Sequence, residues 1–174
     1  MDRRYTCCFT GHRPKTLFLY EEEEAVFRKI RNAVEDAVAE GFTDFLCGGC
    51  VGGDFLFADA VILARGMHPE KDIQLCMCLP CRDQAEKWSR RDRDRYSAYL
   101  QVADRVVCLS EKYDSSCMLR RNRYMVDRSS LLIAAFNGTP GGTAYTLRYA
   151  RRNGLRVVNL LETPAPETDQ LTFL

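Results

Sequence analysis

The stretch Asp44-Phe45-Leu46-Cys47-Gly48-Gly49-Cys50-Val51-Gly52-Gly53-Asp54 decides the fold. A short strand, Asp44 to Cys47, runs into a loop with four glycines, and Asp54 opens a helical stretch reaching Arg65. Leu56, Ala60, Ile62 and Leu63 point mostly inward along it, and Gly66 and Pro69 end it. Strand, glycine turn and helix form the first half of a βαβ unit, and such units build parallel sheets. Glycine takes positive φ at little cost and lets a backbone approach its neighbour closely. Amides that open the following helix point beyond the strand end, where the helix dipole favours an anion.

The same grammar extends in both directions. Upstream, a strand from Tyr5 to Phe9 leads through Thr10-Gly11-His12-Arg13-Pro14 to a helix spanning Tyr20 to Glu40. Val26, Ile30, Ala33, Val34, Ala37 and Val38 share one face of it. Glu21 to Glu24 suit its first turn, where carboxylates meet the positive end of the dipole, and Gly41 stops it. Downstream come a strand Ile73 to Leu79, cut off by Pro80, and a helix Arg82 to Gln101. A strand Arg105 to Leu109, a helix Ser116 to Arg128 and a strand Leu131 to Phe136 follow. Gly138-Thr139-Pro140-Gly141-Gly142-Thr143 then opens a helix Thr143 to Arg152, capped by Asn153-Gly154 before a last strand, Val157 to Leu161. The expected architecture is a Rossmann-like three-layer α/β/α domain over residues 1–174, with a mostly parallel sheet of about six strands. The tail from Thr163 reads as poorly ordered or draped on the surface.

The 174 residues suffice for a sizeable core without staples. Hydrophobic residues are 46% and charged residues 28%, a soluble, globular balance. Lys and Arg number 25 against 24 Asp and Glu, a net charge of +1 that excludes coating nucleic acid by bulk charge. Met1 to Thr6 carries no secretory h-region and no apolar run is long enough for a membrane, so a cytoplasmic address is expected. There the nine cysteines serve mostly as small buried hydrophobes. Cys47 with Cys50 and Cys78 with Cys81 form two C-x-x-C pairs, too far apart for the usual four-thiolate zinc site, so no metal is expected.

In open parallel sheets, ligands bind beyond the carboxyl ends of the strands where strand order reverses. The loops after the first, second and fifth strands should all emerge at that edge. Arg13 can pair with phosphate as a planar fork, and His12 can bond a ribose or act as an acid. Thr143 either caps its helix or meets a phosphate oxygen. The first loop lacks G-x-G-x-x-G, which disfavours a dinucleotide dehydrogenase. Lys15-Thr16 imitates the end of a P-loop, but Pro14 stands where its glycine belongs. The mixed-sign run Ser89 to Arg95 reads as a solvated helix face. Trp88, Tyr96 and Tyr99 read as core, or as an exposed face for a second copy.

Three segments carry a family resemblance. Cys8-Phe9-Thr10-Gly11-His12-Arg13-Pro14 is one and Cys47-Gly48-Gly49-Cys50-Val51-Gly52-Gly53-Asp54 another. The third is Arg121-Asn122-Arg123-Tyr124-Met125-Val126-Asp127, followed by Leu131-Leu132-Ile133-Ala134 and Asn137-Gly138. In this order they resemble the YpsA-like branch of the SLOG superfamily, whose name joins the Smf/DprA and Lonely-guy proteins. The resemblance implies a Rossmann-like fold and a pocket for nucleotide-derived molecules. Lonely-guy-like members cut a base from a nucleoside monophosphate, DprA-like members bind single-stranded DNA, and the YpsA-like branch is linked to cell division and stress in bacteria. The hydrolase pattern P-G-G-x-G-T-x-x-E starts well at Pro140-Gly141-Gly142-Thr143. Ala144 and Tyr145 then replace its Gly-Thr, and Arg148 stands where the catalytic glutamate belongs. A cation there cannot stabilise positive charge developing on the ribose, leaving Asp54 or Glu111 as substitutes.

The expected function is binding or sensing of a nucleotide, ADP-ribose, NAD or nucleotide sugar in a bacterial-type regulatory protein, with no required cofactor. The candidate ligand residues are Gly11, His12, Arg13, Gly48, Gly49, Gly52, Gly53, Asp54, Arg121, Asn122, Asn137, Gly138, Gly141, Gly142 and Thr143. One alternative is hydrolysis of an N-glycosidic or phosphate bond with Asp54 as the catalytic candidate. Another is single-stranded nucleic-acid binding through Arg120, Arg121, Arg123 and the run Arg90 to Arg95, which near-neutral charge disfavours. A homodimer is compatible with the resemblance, and no membrane partner is expected.

Overall fold

The computed structural model describes residues 1–161, so the expectation for the tail from Thr163 lies outside the described residues. Six strands form one all-parallel sheet: β1 (Thr6–Gly11), β2 (Asp44–Cys47), β3 (Gln74–Leu79), β4 (Arg105–Cys108), β5 (Leu131–Ala135) and β6 (Arg156–Asn159). Their spatial order is β4-β3-β2-β1-β5-β6. Consecutive strands step one way from β1 to β4, and the chain then returns to add β5 and β6 on the other side of β1. The order therefore reverses between β1 and β5, which leaves a crevice beyond their carboxyl ends.

The helices follow from that reversal. Right-handed crossovers running in opposite directions along a sheet must lie on opposite faces. Accordingly α2 (Glu23–Ala39), α3 (Gly53–Met67) and α4 (Arg90–Val102) cover one face, packing on Cys7, Phe9, Phe45, Leu75 and Ile133. On the other, α5 (Cys117–Asp127) and α6 (Gly142–Arg152) pack on Cys8, Leu46, Cys76, Leu132 and Ala134. Neighbouring residues such as Cys7 and Cys8 feed opposite layers because side chains alternate along a strand. Eight of the nine unbridged cysteines are buried, and Cys7, Cys8, Cys47, Cys76 and Cys78 pack as small apolar residues in these layers.

Two helices differ from the sequence expectation. The stretch expected to be helical from Tyr20 starts only at Glu23, and a short α1 (Pro14–Leu17) precedes it. Pro14 sits at the first helical position, where its missing N–H costs nothing. The helix expected from Arg82 begins at Arg90, because Ser89 caps it: the Ser89 hydroxyl accepts from the Asp92 N–H at 3.1 Å and donates to the Asp92 carboxylate at 2.7 Å. Residues 82–87 are turns and residue 88 a bend instead. Tyr96 and Tyr99 are buried against α3, where Tyr99 meets Phe55 edge-on at 5.0 Å, so the core reading of these aromatics holds.

Candidate functional site

A cavity of about 250 Å³ opens at the β1/β5 switch point. Gly11, His12 and Arg13 after β1, Asp54 at the start of α3, Arg121 and Asn122 on α5, and Gly142 and Thr143 at the start of α6 all line it. The topology thus gathers residues from four separate segments into one hollow.

Its rigid centre is a buried ion pair. The guanidinium of Arg121 and the carboxylate of Asp54 stand 3.9 Å apart, with 5% and 6% of each residue exposed. Arg121 Nε donates to Asn122 Oδ1 at 2.8 Å, and Nη1 donates to the carbonyls of Gly48 and, at 3.4 Å, Cys78. Asn122 Nδ2 donates to the Thr146 hydroxyl at 2.8 Å, which donates to the Gly142 carbonyl at 2.8 Å. This relay ties the loop after β2 to the opening turn of α6 through α5. Cys50 N–H donates to Asp54 Oδ2 at 3.0 Å. Burial pushes the Asp54 carboxyl above the usual carboxylate range, with Arg121 and the Cys50 N–H pulling the other way. Burial also works against the charged form of Arg121, but the surrounding thiols and Asp54 outweigh it and hold the guanidinium charged.

Two groups remain open to a ligand. His12 is 7% exposed, and its Nε2 is buried with no hydrogen-bond partner among the described residues. Burial lowers its pKa, against a smaller opposing pull from the Asn137 side chain, so the ring is neutral near pH 7. Arg13 is exposed at the mouth and is in no ion pair among the described residues. Its positive charge is felt by Asp54.

The glycines divide sharply. A Cβ on Gly48 would overlap the Arg121 guanidinium and lie 2.7 Å from Asp54 Oδ2. One on Gly49 would meet Met77 at 2.8 Å, and one on Gly52 the His12 carbonyl at 2.8 Å. Gly53 and Gly11 face each other, a Cβ on Gly53 lying 3.1 Å from the Gly11 Cα, and Gly53 N–H donates to the His12 carbonyl at 3.2 Å. The glycines of residues 48–53 therefore serve close packing behind the cavity; in this loop Cys50 and Asp54 reach its wall. Around Gly141 and Gly142 there is nothing within 4 Å of a notional Cβ. Gly141 caps α6 at φ 146°, a conformation that side chains resist, so Thr143 is not the cap and lies buried in the cavity wall. Asn137 and Gly138 stand outside the lining: Asn137 Nδ2 donates to the Thr16 carbonyl at 2.8 Å and its Oδ1 accepts from Thr139 N–H at 3.2 Å.

Thr10, Thr16, Met118 and Met125 also line the cavity and were not singled out from sequence. Met118, Arg121, Asn122 and Met125 repeat at helical spacing, a signal legible once α5 is placed. Of the substitutes for the missing glutamate, Asp54 is in the wall. Glu111 lies elsewhere, exposed and paired with Arg82 at 2.7 Å. Arg148 is exposed on α6. Among the described residues no group of three or more His, Cys, Asp or Glu is arranged to hold a metal, and no helix is long and apolar enough to cross a membrane.

Comparison with known proteins agrees with this architecture. A UPF0398 protein of Halalkalibacterium halodurans is 28% identical over 150 residues, covering 82% of this chain and 78% of that one. The uncharacterised SPbeta prophage-derived protein YoqJ of Bacillus subtilis is 26% identical over 140 residues, 73% of this chain and 81% of that one. The X-ray structure of DNA processing protein A (DprA) from Streptococcus pneumoniae superposes with TM-score 0.58 at 16% identity, over 88% of this chain and 49% of that one. This chain thus spans about half of that protein. The structural-genomics target TM1055 gives TM-score 0.52 at 14% identity, over 90% and 72%. The sequence model described as YspA SLOG family, for YpsA, matches residues 7–157. With that match over most of its length, the chain belongs to the YpsA SLOG family.

Proposed function

We propose that the cavity binds a small, anionic, nucleotide-derived ligand, as a sensor or binding module. The observation that carries this reading is the buried, unpartnered His12 Nε2 in a hollow that also holds the free Arg13 and the unobstructed Gly142 turn. Amides at a helix start and a planar guanidinium are complementary to phosphate oxygens, and a neutral imidazole suits a ribose hydroxyl. The nine unbridged thiols support a reducing, cytosolic setting. Calorimetry against nucleotides, ADP-ribose, NAD and nucleotide sugars tests the proposal. At least one should bind, and Arg13→Ala should weaken it tenfold or more while leaving the melting temperature unchanged. Silence across the panel refutes it.

A hydrolytic reading draws on one observation, the buried Asp54 carboxyl in the cavity wall with its pKa raised. Release of free base from nucleoside monophosphates, abolished in Asp54→Asn, would support it; bound nucleotide recovered intact would leave the binding role alone. The nucleic-acid reading draws on a DNA-processing structural neighbour. Its cations are largely committed here: Arg121 is buried, Arg120 pairs with Asp114, and Arg95 bonds Asp59 at 3.0 Å.

A further inference from the structure

Alone, the first cavity falls below the roughly 300–1,000 Å³ of most small-molecule sites. It is not alone. A second hollow of about 400 Å³ adjoins it, and Arg13 and Met118 line both. Taken together, the two fall inside that range.

The second hollow has a different chemistry. Trp88 lies in its wall, held edge-on by Phe55 at 6.1 Å and Tyr96 at 5.3 Å. A ring pinned by core aromatics is a rigid platform that loses little entropy when another flat group stacks on it. Tyr113 lines the same hollow and is 61% exposed. Asp83 and Glu86 add carboxylates; Asp83 Oδ1 has no hydrogen-bond partner among the described residues, while the nearby Cys81 thiol and Tyr113 N–H lower the Asp83 pKa and keep it ionised. An ionised carboxylate only accepts hydrogen bonds, so the complementary ligand edge must donate. Asp83, Glu86 and Trp88 come from the turns and bend of residues 82–88 that precede the cap of α4, and Tyr113 from the loop before α5.

We infer that the second hollow seats the base of the nucleotide, an aromatic ring with an exocyclic amino group, while Arg13 spans the junction and the phosphates lie in the first cavity. This rests on the nucleotide reading above and assigns the base its place. The aromatic surface lies on one side: Trp88 and Tyr113 line the second hollow with the Asp83 and Glu86 carboxylates and Lys87, whereas the first holds His12, the Gly142 turn and the Asp54–Arg121 pair.

Trp88 is the only tryptophan, so the protein's tryptophan emission reports on the wall of this hollow. Inorganic pyrophosphate should bind, by calorimetry, without changing that emission. ADP should bind at least tenfold more tightly and quench it, and inosine diphosphate, which lacks the amino group, should bind at least fivefold more weakly than ADP. Tyr113→Ala, at an exposed position that leaves the fold intact, should bring ADP affinity down toward that of pyrophosphate and leave pyrophosphate unchanged. ADP that binds without quenching Trp88, or binds Tyr113→Ala and wild type equally, overturns this placement while the nucleotide reading stands. Equal affinity for ADP and inosine diphosphate overturns the amino-group assignment. No binding of either diphosphate or pyrophosphate overturns both.

Discussion

Replacing Arg121 by methionine should disable the centre of the site through an electrostatic fault that acid partly repairs. The side chain is buried and donates to Gly48, Cys78 and Asn122 while facing Asp54 at 3.9 Å. Methionine restores the volume but none of the donors, and it strands a buried carboxylate. Breaking a buried pair from one side costs about 3–5 kcal/mol, because the remaining charge keeps its desolvation penalty without compensation. For a protein of this size that is a fall of roughly 6–20 °C in melting temperature. Asp54 already has a folded pKa above its unfolded value of 3.8. The folded state therefore binds more protons than the unfolded chain between those two values. Its contribution is full below the unfolded pKa and is lost as pH rises through the folded one. Removing Arg121 pushes the folded pKa higher still, so the variant's deficit should be largest at neutral pH and shrink on acidification. Denaturant unfolding of wild type, Arg121→Met, Asp54→Asn and the double variant, at neutral and mildly acidic pH, measures this. The double variant should recover at least about 1 kcal/mol relative to the sum of the single losses. Additive losses, or a deficit independent of pH, would refute the ion pair as the organising element.

Three further outcomes follow from single features. Gly142→Ala, with nothing near its notional Cβ, should leave stability within about 0.5 kcal/mol yet weaken phosphate-bearing ligands, whereas Gly141→Ala, at φ 146°, should cost about 1–3 kcal/mol; thermal melts and calorimetry separate them. Burial lowers the His12 pKa from 6.5, so the unfolded chain takes up the proton first and stability should fall as pH drops from there through the lowered value; His12→Asn should flatten that part of the pH–stability curve. Cys108, the one exposed thiol, should react first with an aromatic disulfide reagent in the native protein and all nine in denaturant; fast native reaction of Cys7, Cys8, Cys47, Cys76 or Cys78 would contradict the packing of the two layers.

By itself the chain determined the alternation of strand and helix, because apolar periodicity and glycine punctuation are local, and so it also determined that the turns around Gly11, Gly52 and Gly141 share one edge. Local signals also misled: a helix read back to Arg82 ignored the cap at Ser89, and four glycines in one loop suggested ligand contact where three of them make room for Arg121, Met77 and His12. Which glycine faces a neighbour and which faces open space depends on partners distant in sequence, as Gly48 and Arg121 are. Only the tertiary structure brought Asp54 against Arg121, left His12 Nε2 without a partner and set Trp88 beside the cavity mouth. Those relations exist only once the reversal of strand order between β1 and β5 has folded four segments around one hollow.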